Sequence, residues 1–217
     1  MNANKKTDIA NSIRHAGTVF PKMLGVLLSY SFLLLLPKAA LRSSAAELLV
    51  IIAVPVAVYL LGEKIGFANC SVYGLSVCAI LGALKYESIF VGVLHFVNNA
   101  HAEFDSSFIP YTFNGMSPEN ADTFLAVLFV TLVVSLLCVC GANLRKPLIA
   151  ILPGCAVIFL IVYTGLEIPP VSFSPFAALS VLLVMVSQGK GISGRYIAAG
   201  AGVVAASLGI ALIAAVL

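Results

Sequence analysis

Residues 124–139 read FLAVLFVTLVVSLLCV. Only two polar side chains interrupt the run, the hydroxyls of Thr131 and Ser135. A barrel strand alternates apolar and polar residues over about ten positions. An amphipathic surface helix keeps one apolar stripe. This stretch does neither. Lipid offers no partners to backbone N–H and C=O groups, so a continuous apolar run of this kind reads as a membrane-spanning α-helix.

The whole chain has the same character. It is 217 residues long, 61% hydrophobic and 10% charged, against about 45–50% and about 25% in a soluble domain. Its mean hydropathy is +1.09. Its 12 Lys+Arg and 9 Asp+Glu are too few to cover a soluble surface. The first partner is therefore the lipid bilayer, and no nucleic acid is expected. A span takes about 20 residues, so six to eight helices use the chain and leave no room for a separate soluble domain.

The expected fold is an all-α polytopic membrane protein of about seven spans: 22–37, 45–62, 71–96, 122–141, 147–164, 174–188 and 195–216. Residues 1–21 form a basic N-terminal segment. Ile9, Ile13, Ala16 and Phe20 keep helical spacing there, which suits an interfacial helix or a basic tail. Lys5, Lys6, Arg14 and Lys22 precede the run Met23–Leu36, read as an uncleaved first span. With the N-terminus in the cytoplasm, these four fall inside together with Lys64, Arg145, Lys146, Lys190 and Arg195. Lys38 and Arg42 fall outside, and Lys85 stays in the third span. The loop 97–121 carries Glu103, Asp105 and Glu119 with no Lys or Arg, and falls outside. Basic residues gather on the cytoplasmic side, so the chain is placed in the inner (plasma) membrane with its N-terminus cytoplasmic. A rival reading splits 71–104 into two short spans, giving eight and freeing Lys85 and Glu87 from the bilayer.

A shift of 103 residues lays 39–74 on 142–177. Ala39, Leu41, Arg42, Leu49, Ala53, Val54, Gly62, Ile65 and Ser71 meet identical residues at Ala142, Leu144, Arg145, Leu152, Ala156, Val157, Gly165, Ile168 and Ser174. Shared apolar composition alone gives roughly four matches over this length. Two copies, 22–96 and 122–188, would each hold three spans and cross the membrane in opposite senses. That is the inverted-repeat design of many secondary transporters. The segment 195–217 adds a Gly/Ala-rich helix, making a 3+3 repeat plus one.

The third helix of each copy opens on a polar sequence. One is Phe67-Ala68-Asn69-Cys70-Ser71-Val72-Tyr73 and the other Val171-Ser172-Phe173-Ser174-Pro175-Phe176. Ser174-Pro175 reads as an N-cap followed by Pro in the first helical position. A helix starting within the membrane presents free N–H groups and partial positive charge to an anion. The expected binding residues are Asn69, Ser71, Ser172 and Ser174 for polar groups, and Tyr73, Phe173 and Phe176 for the pocket walls. Lys85 is the expected counter-ion.

Other constellations point less far. His95, Asn98, Asn99, His101, Glu103 and Asp105 form the densest polar run, without a recognised ligand spacing. There is no HExxH, GxSxG or P-loop. No metal, cofactor or catalytic residue is assigned, and the chain is not read as an enzyme. Cys70, Cys78, Cys138, Cys140 and Cys155 lie in or beside apolar runs and read as small apolar filler. Ala198, Gly202 and Ala206 make a small-xxx-small face suited to close helix packing or a homo-oligomer contact.

The stretch 174–212, SPFAALSVLLVMVSQGKGISGRYIAAGAGVVAASLGIAL, resembles the membrane repeat of the fusaric-acid-resistance and aromatic-acid-exporter group and of HPP-type small membrane proteins. The likeness lies in an apolar helix ending in Ser187-Gln188-Gly189, followed by Arg195 opening a Gly/Ala-rich helix. HPP proteins carry His before the Pro pair, where this chain has Ile168 before Pro169-Pro170. The resemblance implies export of small organic acids. The expected function, resting on the repeat, is a transporter or channel for a small organic anion or other small polar metabolite, bound between the polar-started helices of the two copies. Two alternatives are a non-transporting scaffold subunit of a larger complex and an intramembrane metal-dependent enzyme using the His95–Glu103 region.

Overall fold

The structure, a computed structural model, describes residues 22–33, 45–104, 109–111, 122–163 and 170–187. The basic segment 1–21, most of the loop 97–121, and the helix expected at 195–216 with its Gly202 and Ala206 face lie outside the described residues. Among those described, the protein is all-helical. The helices are α1 (Lys22–Leu33), α2 (Ala45–Ile65), α3 (Phe67–Leu84), α4 (Tyr86–Phe104), α5 (Thr123–Asn143), α6 (Pro147–Tyr163) and α7 (Pro170–Ser187). Three of them, α2, α3 and α5, are long and apolar enough to cross a membrane.

The run that opened the sequence reading is α5, and it is the hub. Of its span 56% is buried, against 22% for α2 and 11% for α3. It touches α2, α3, α4 and α6 directly. One flank joins α1, α6 and α7 through Leu24, Leu28, Phe32, Val134, Cys138 and Leu183. The other joins α2 and α3 through Val58, Cys70, Cys78, Leu136 and Cys140. Lipid tails are as apolar as Leu, so close packing rather than water exclusion holds such helices together. Gly25 supplies it: a Cβ there would stand 2.7 Å from the Cys138 carbonyl and 2.7 Å from the Val139 Cα, so the two backbones nearly touch.

Neighbour pairs set the directions. Lys22 pairs with Glu63 at 3.1 Å, and the Tyr30 hydroxyl donates to the Ile52 carbonyl at 2.8 Å, so α1 and α2 run antiparallel. Asn143 donates to the Lys22 carbonyl at 3.2 Å while Gly25 meets Val139, so α1 also runs against α5. The α2–α3 turn is one residue, Gly66, at φ 87°, a conformation open to glycine without strain. Arg145 closes the α5–α6 turn at φ 56°. One end of the bundle thus carries Lys22, Lys64, Arg145 and Lys146 beside Glu63. Asp122 caps α5 at the opposite end, accepting from the Leu125 N–H at 2.8 Å.

Two expectations are corrected. The single span over 71–96 is two helices, broken at Lys85. The chain does not turn back there. Gly82 faces Phe129, whereas Gly92 faces Asp122 and Ala126, so α4 continues in the direction of α3. Lys85 still donates to the Leu81 carbonyl and accepts from the Ile89 N–H, both at 2.9 Å. The break is a bend in one long rod, and 22–104 crosses the bundle three times. The second correction concerns α7, which begins at Pro170 rather than at Ser174. Pro170 takes a first-turn place, where its missing N–H costs nothing. Pro175 lies inside the helix with its ring buried.

The Gly25 contact makes a measurable prediction. Gly25→Ala places its methyl against backbone that cannot rotate away and lowers stability by about 1–3 kcal/mol. Gly82→Ala meets only the tip of the Phe129 ring at 3.3 Å and costs less. Thermal unfolding in detergent should rank the two in that order.

Candidate functional site

The expected site residues do not come together. Asn69, Ser71 and Tyr73 lie in the first two turns of α3, at the end that carries Lys22 and Lys64. The Asn69 amide donates to the Ile65 carbonyl at 3.0 Å, and Tyr73 is 64% exposed. Phe173, Ser174 and Phe176 lie at the start of α7, at the opposite end of the bundle. Phe173 is exposed, Ser174 half-buried, and Phe176 is buried over Gly154 of α6. The side chain of Ser172 lies outside the described residues. Lys85 is exposed at the α3–α4 bend, about 27 Å along α3 at 1.5 Å per residue. That depth is close to the far face of a hydrocarbon layer about 30 Å thick.

The polar run on α4 is built differently from a metal site. Asn99 and His95 share a hydrogen bond of 3.0 Å along one helix face. Asn98 makes two bonds to Tyr111, its amide donating to the carbonyl at 3.0 Å and its oxygen accepting the N–H at 2.9 Å. His101 is buried and meets the Tyr111 ring edge-on at 5.9 Å. These contacts pin 109–111 to α4. The Glu103 side chain lies outside the described residues. Among those described, no three His, Cys, Asp or Glu side chains gather as metal ligands.

A different polar cluster lies in the core. Thr131 and Ser135 are 2% and 0% exposed, and their hydroxyls have no hydrogen-bond partner among the described residues. The spacing Thr131, Ser135, Cys138, Ala142 (i, i+4, i+7, i+11) puts them on one face of α5. That is the face Gly25 of α1 approaches. Ser29, one turn beyond Gly25, is buried beside Cys138 and donates to the Gly25 carbonyl at 3.1 Å. The Ser180 hydroxyl of α7 is likewise buried without a partner. A hydroxyl both donates and accepts, and most in membrane helices bond back to their own helix. Among the described residues, Thr131, Ser135 and Ser180 do not. Sequence reading passed over Thr131 and Ser135 as interruptions of an apolar run. Their four-residue spacing, matched by Gly25 and Ser29, was the available signal.

Compared with known proteins, the chain matches no family model, no curated protein and no solved structure.

Two predictions follow from these contacts. A buried hydroxyl left unbonded costs about 1–3 kcal/mol. Thr131→Val keeps the shape and removes that cost, so its thermal midpoint should equal or exceed that of the parent; a clear drop would mean that the hydroxyl is bonded within the fold. Asn98→Ala frees 109–111, and protease cleavage after Tyr111 should accelerate several-fold while the helical content stays unchanged.

Proposed function

We propose that this chain is an integral membrane transporter or channel for a small organic anion or other small polar metabolite. Its solute would be bound beside the α1–α5 contact, by the hydroxyls of Ser29, Thr131 and Ser135. The observation that carries the reading is the pair of buried, unbonded hydroxyls on the α5 face that α1 approaches. Transporters of inverted-repeat design bind near the membrane midplane, where their two copies meet. α1 and α5 are the first helices of the proposed copies 22–96 and 122–188. They run antiparallel and are the most enclosed helices of the bundle, which supports the repeat.

The electrostatics favour an anion. Four cations, Lys22, Lys64, Arg145 and Lys146, share one end with Glu63. Such a cluster raises the local concentration of anions without a buried charge. The same cluster supports a cytoplasmic placement of that end, with the N-terminus inside and the chain multi-pass in the inner membrane. The polar starts of α3 and α7, with Asn69, Ser71 and Tyr73 at one end and Ser172, Phe173, Ser174 and Phe176 at the other, would then border the two mouths. Lys85 would act from near the outer interface rather than from the centre.

The test is counterflow in liposomes holding the purified protein, with a panel of isotope-labelled mono- and dicarboxylates. Some member of the panel should exchange in the parent protein. Thr131→Val should slow it several-fold, the loss of one hydrogen bond of about 1 kcal/mol, and Ser135→Leu should block it. Unchanged exchange in a folded Thr131→Val protein would remove the proposed site.

A further inference from the structure

The turn between α5 and α6 ends one helix in a form that favours glycine. The Arg145 N–H donates to the Ala142 carbonyl at 3.2 Å, and the Lys146 N–H donates to the Gly141 carbonyl at 2.8 Å. These two bonds are those of a Schellman ending, whose left-handed residue is most often glycine. Here that residue is Arg145, at φ 56°, where a Cβ costs strain. Glycine would make the turn with less strain, so the reason for arginine lies in its side chain. α2, α3 and α5 are long and apolar enough to cross a membrane, and each has an end here, at Ile65, Phe67 and Asn143. The turn therefore lies where hydrocarbon gives way to headgroups. Glu63 is the acid at this end among the described residues, and Lys22 and Tyr59 hold its carboxylate at 3.1 Å and 2.8 Å. Lys64, Arg145 and Lys146 are exposed, and among the described residues no carboxylate pairs with them. α6 leaves the turn with Leu148, Leu152, Cys155 and Phe159 exposed. Their spacing keeps them on one face of the helix.

We propose that the α5–α6 turn holds one anionic phospholipid, its phosphate on Arg145 and Lys146 and an acyl chain along the α6 face from Leu148 to Phe159. A guanidinium offers parallel N–H donors that match two phosphate oxygens, and a neighbouring ammonium adds a point charge. Lys64 strengthens the field from the end of α2. Anionic headgroups are drawn to such clusters of basic side chains at the ends of membrane helices. A zwitterionic lipid brings a cation of its own, which the same three side chains repel. A free phosphate satisfies the charges and leaves the apolar face unused, so the two features together select a lipid. The bound head would bridge the end of α5 and the start of α6. The site shares no residue with the hydroxyls of Ser29, Thr131 and Ser135, and it does not require the transport reading.

The experiment uses the full chain, purified free of lipid in a maltoside detergent and titrated with dioleoyl phosphatidylglycerol. Native mass spectrometry should show one lipid retained, and the unfolding temperature should rise. Dioleoyl phosphatidylcholine at the same concentration should do neither. Glycerol phosphate, which carries the charge without the chains, should not displace the lipid when in excess. Arg145→Gly should unfold without lipid at the parent's temperature or above, because glycine suits the turn. It should bind phosphatidylglycerol about fivefold more weakly, the share of one cation beside a lipid phosphate. Arg145→Lys, which keeps the charge, should lose less. Equal retention of phosphatidylcholine, displacement by glycerol phosphate, or parent-like affinity in a folded Arg145→Gly protein would each overturn the proposal.

Discussion

The backbone contact between α1 and α5 at Gly25 sets the arrangement of everything else. A side chain there would meet the Cys138 carbonyl and the Val139 Cα. Without one, the helices close to backbone contact, and their two flanks become the floors of two separate apolar clusters. α6 and α7 settle on one flank, α2 and α3 on the other. The ends are tied by few polar contacts, chiefly the Lys22–Glu63 pair and the Asn143 bond to the Lys22 carbonyl. Both sit where α1 begins, so they hold the register that the glycine makes possible. The ion pair is exposed, and such pairs contribute little energy. Its value is geometric.

The bend at Lys85 follows from a conflict between length and charge. From Phe67, a straight helix of 18 residues nearly crosses a bilayer by itself. Continuing apolar would give an over-long span. Instead Lys85 and Glu87 follow the apolar length of α3, and α4 carries its polar groups His95, Asn98, Asn99 and His101 onward past the start of α5. The charge that looked out of place inside a 71–96 span falls at the end of α3, where the rod bends.

Class and helix order were legible because they depend on composition and run length. The run 124–139 could be nothing but a helix in an apolar medium, and it is α5. Helix boundaries near proline were not. Ser174-Pro175 has the form of a helix start, but Pro170 takes that role, and packing over Gly154 keeps α7 continuous through Pro175. Placement in the bundle was harder still. Asn69 and Ser174 look alike as sequence, yet chain direction puts them at opposite ends. Thr131 and Ser135 looked like noise in an apolar run because their importance depends on which face of α5 meets α1. That face is decided by Gly25, a hundred residues away in the chain.

The central helix therefore carries two opposed features. With α1 it is among the most enclosed of the described helices, and enclosure makes each unbonded hydroxyl expensive. Yet polarity collects on it and on its partner α1, while α2, α3 and α6 present Leu60, Ile80 and Leu152 outward. A purely structural hub would be cheaper with Val and Ala at those places, since shape and volume would hardly change. Packing between α1 and α5 is already secured by Gly25, so the hydroxyls add nothing to closeness of fit. What they add is a line of donors and acceptors along the α1–α5 interface, one of several where the two halves of the chain meet.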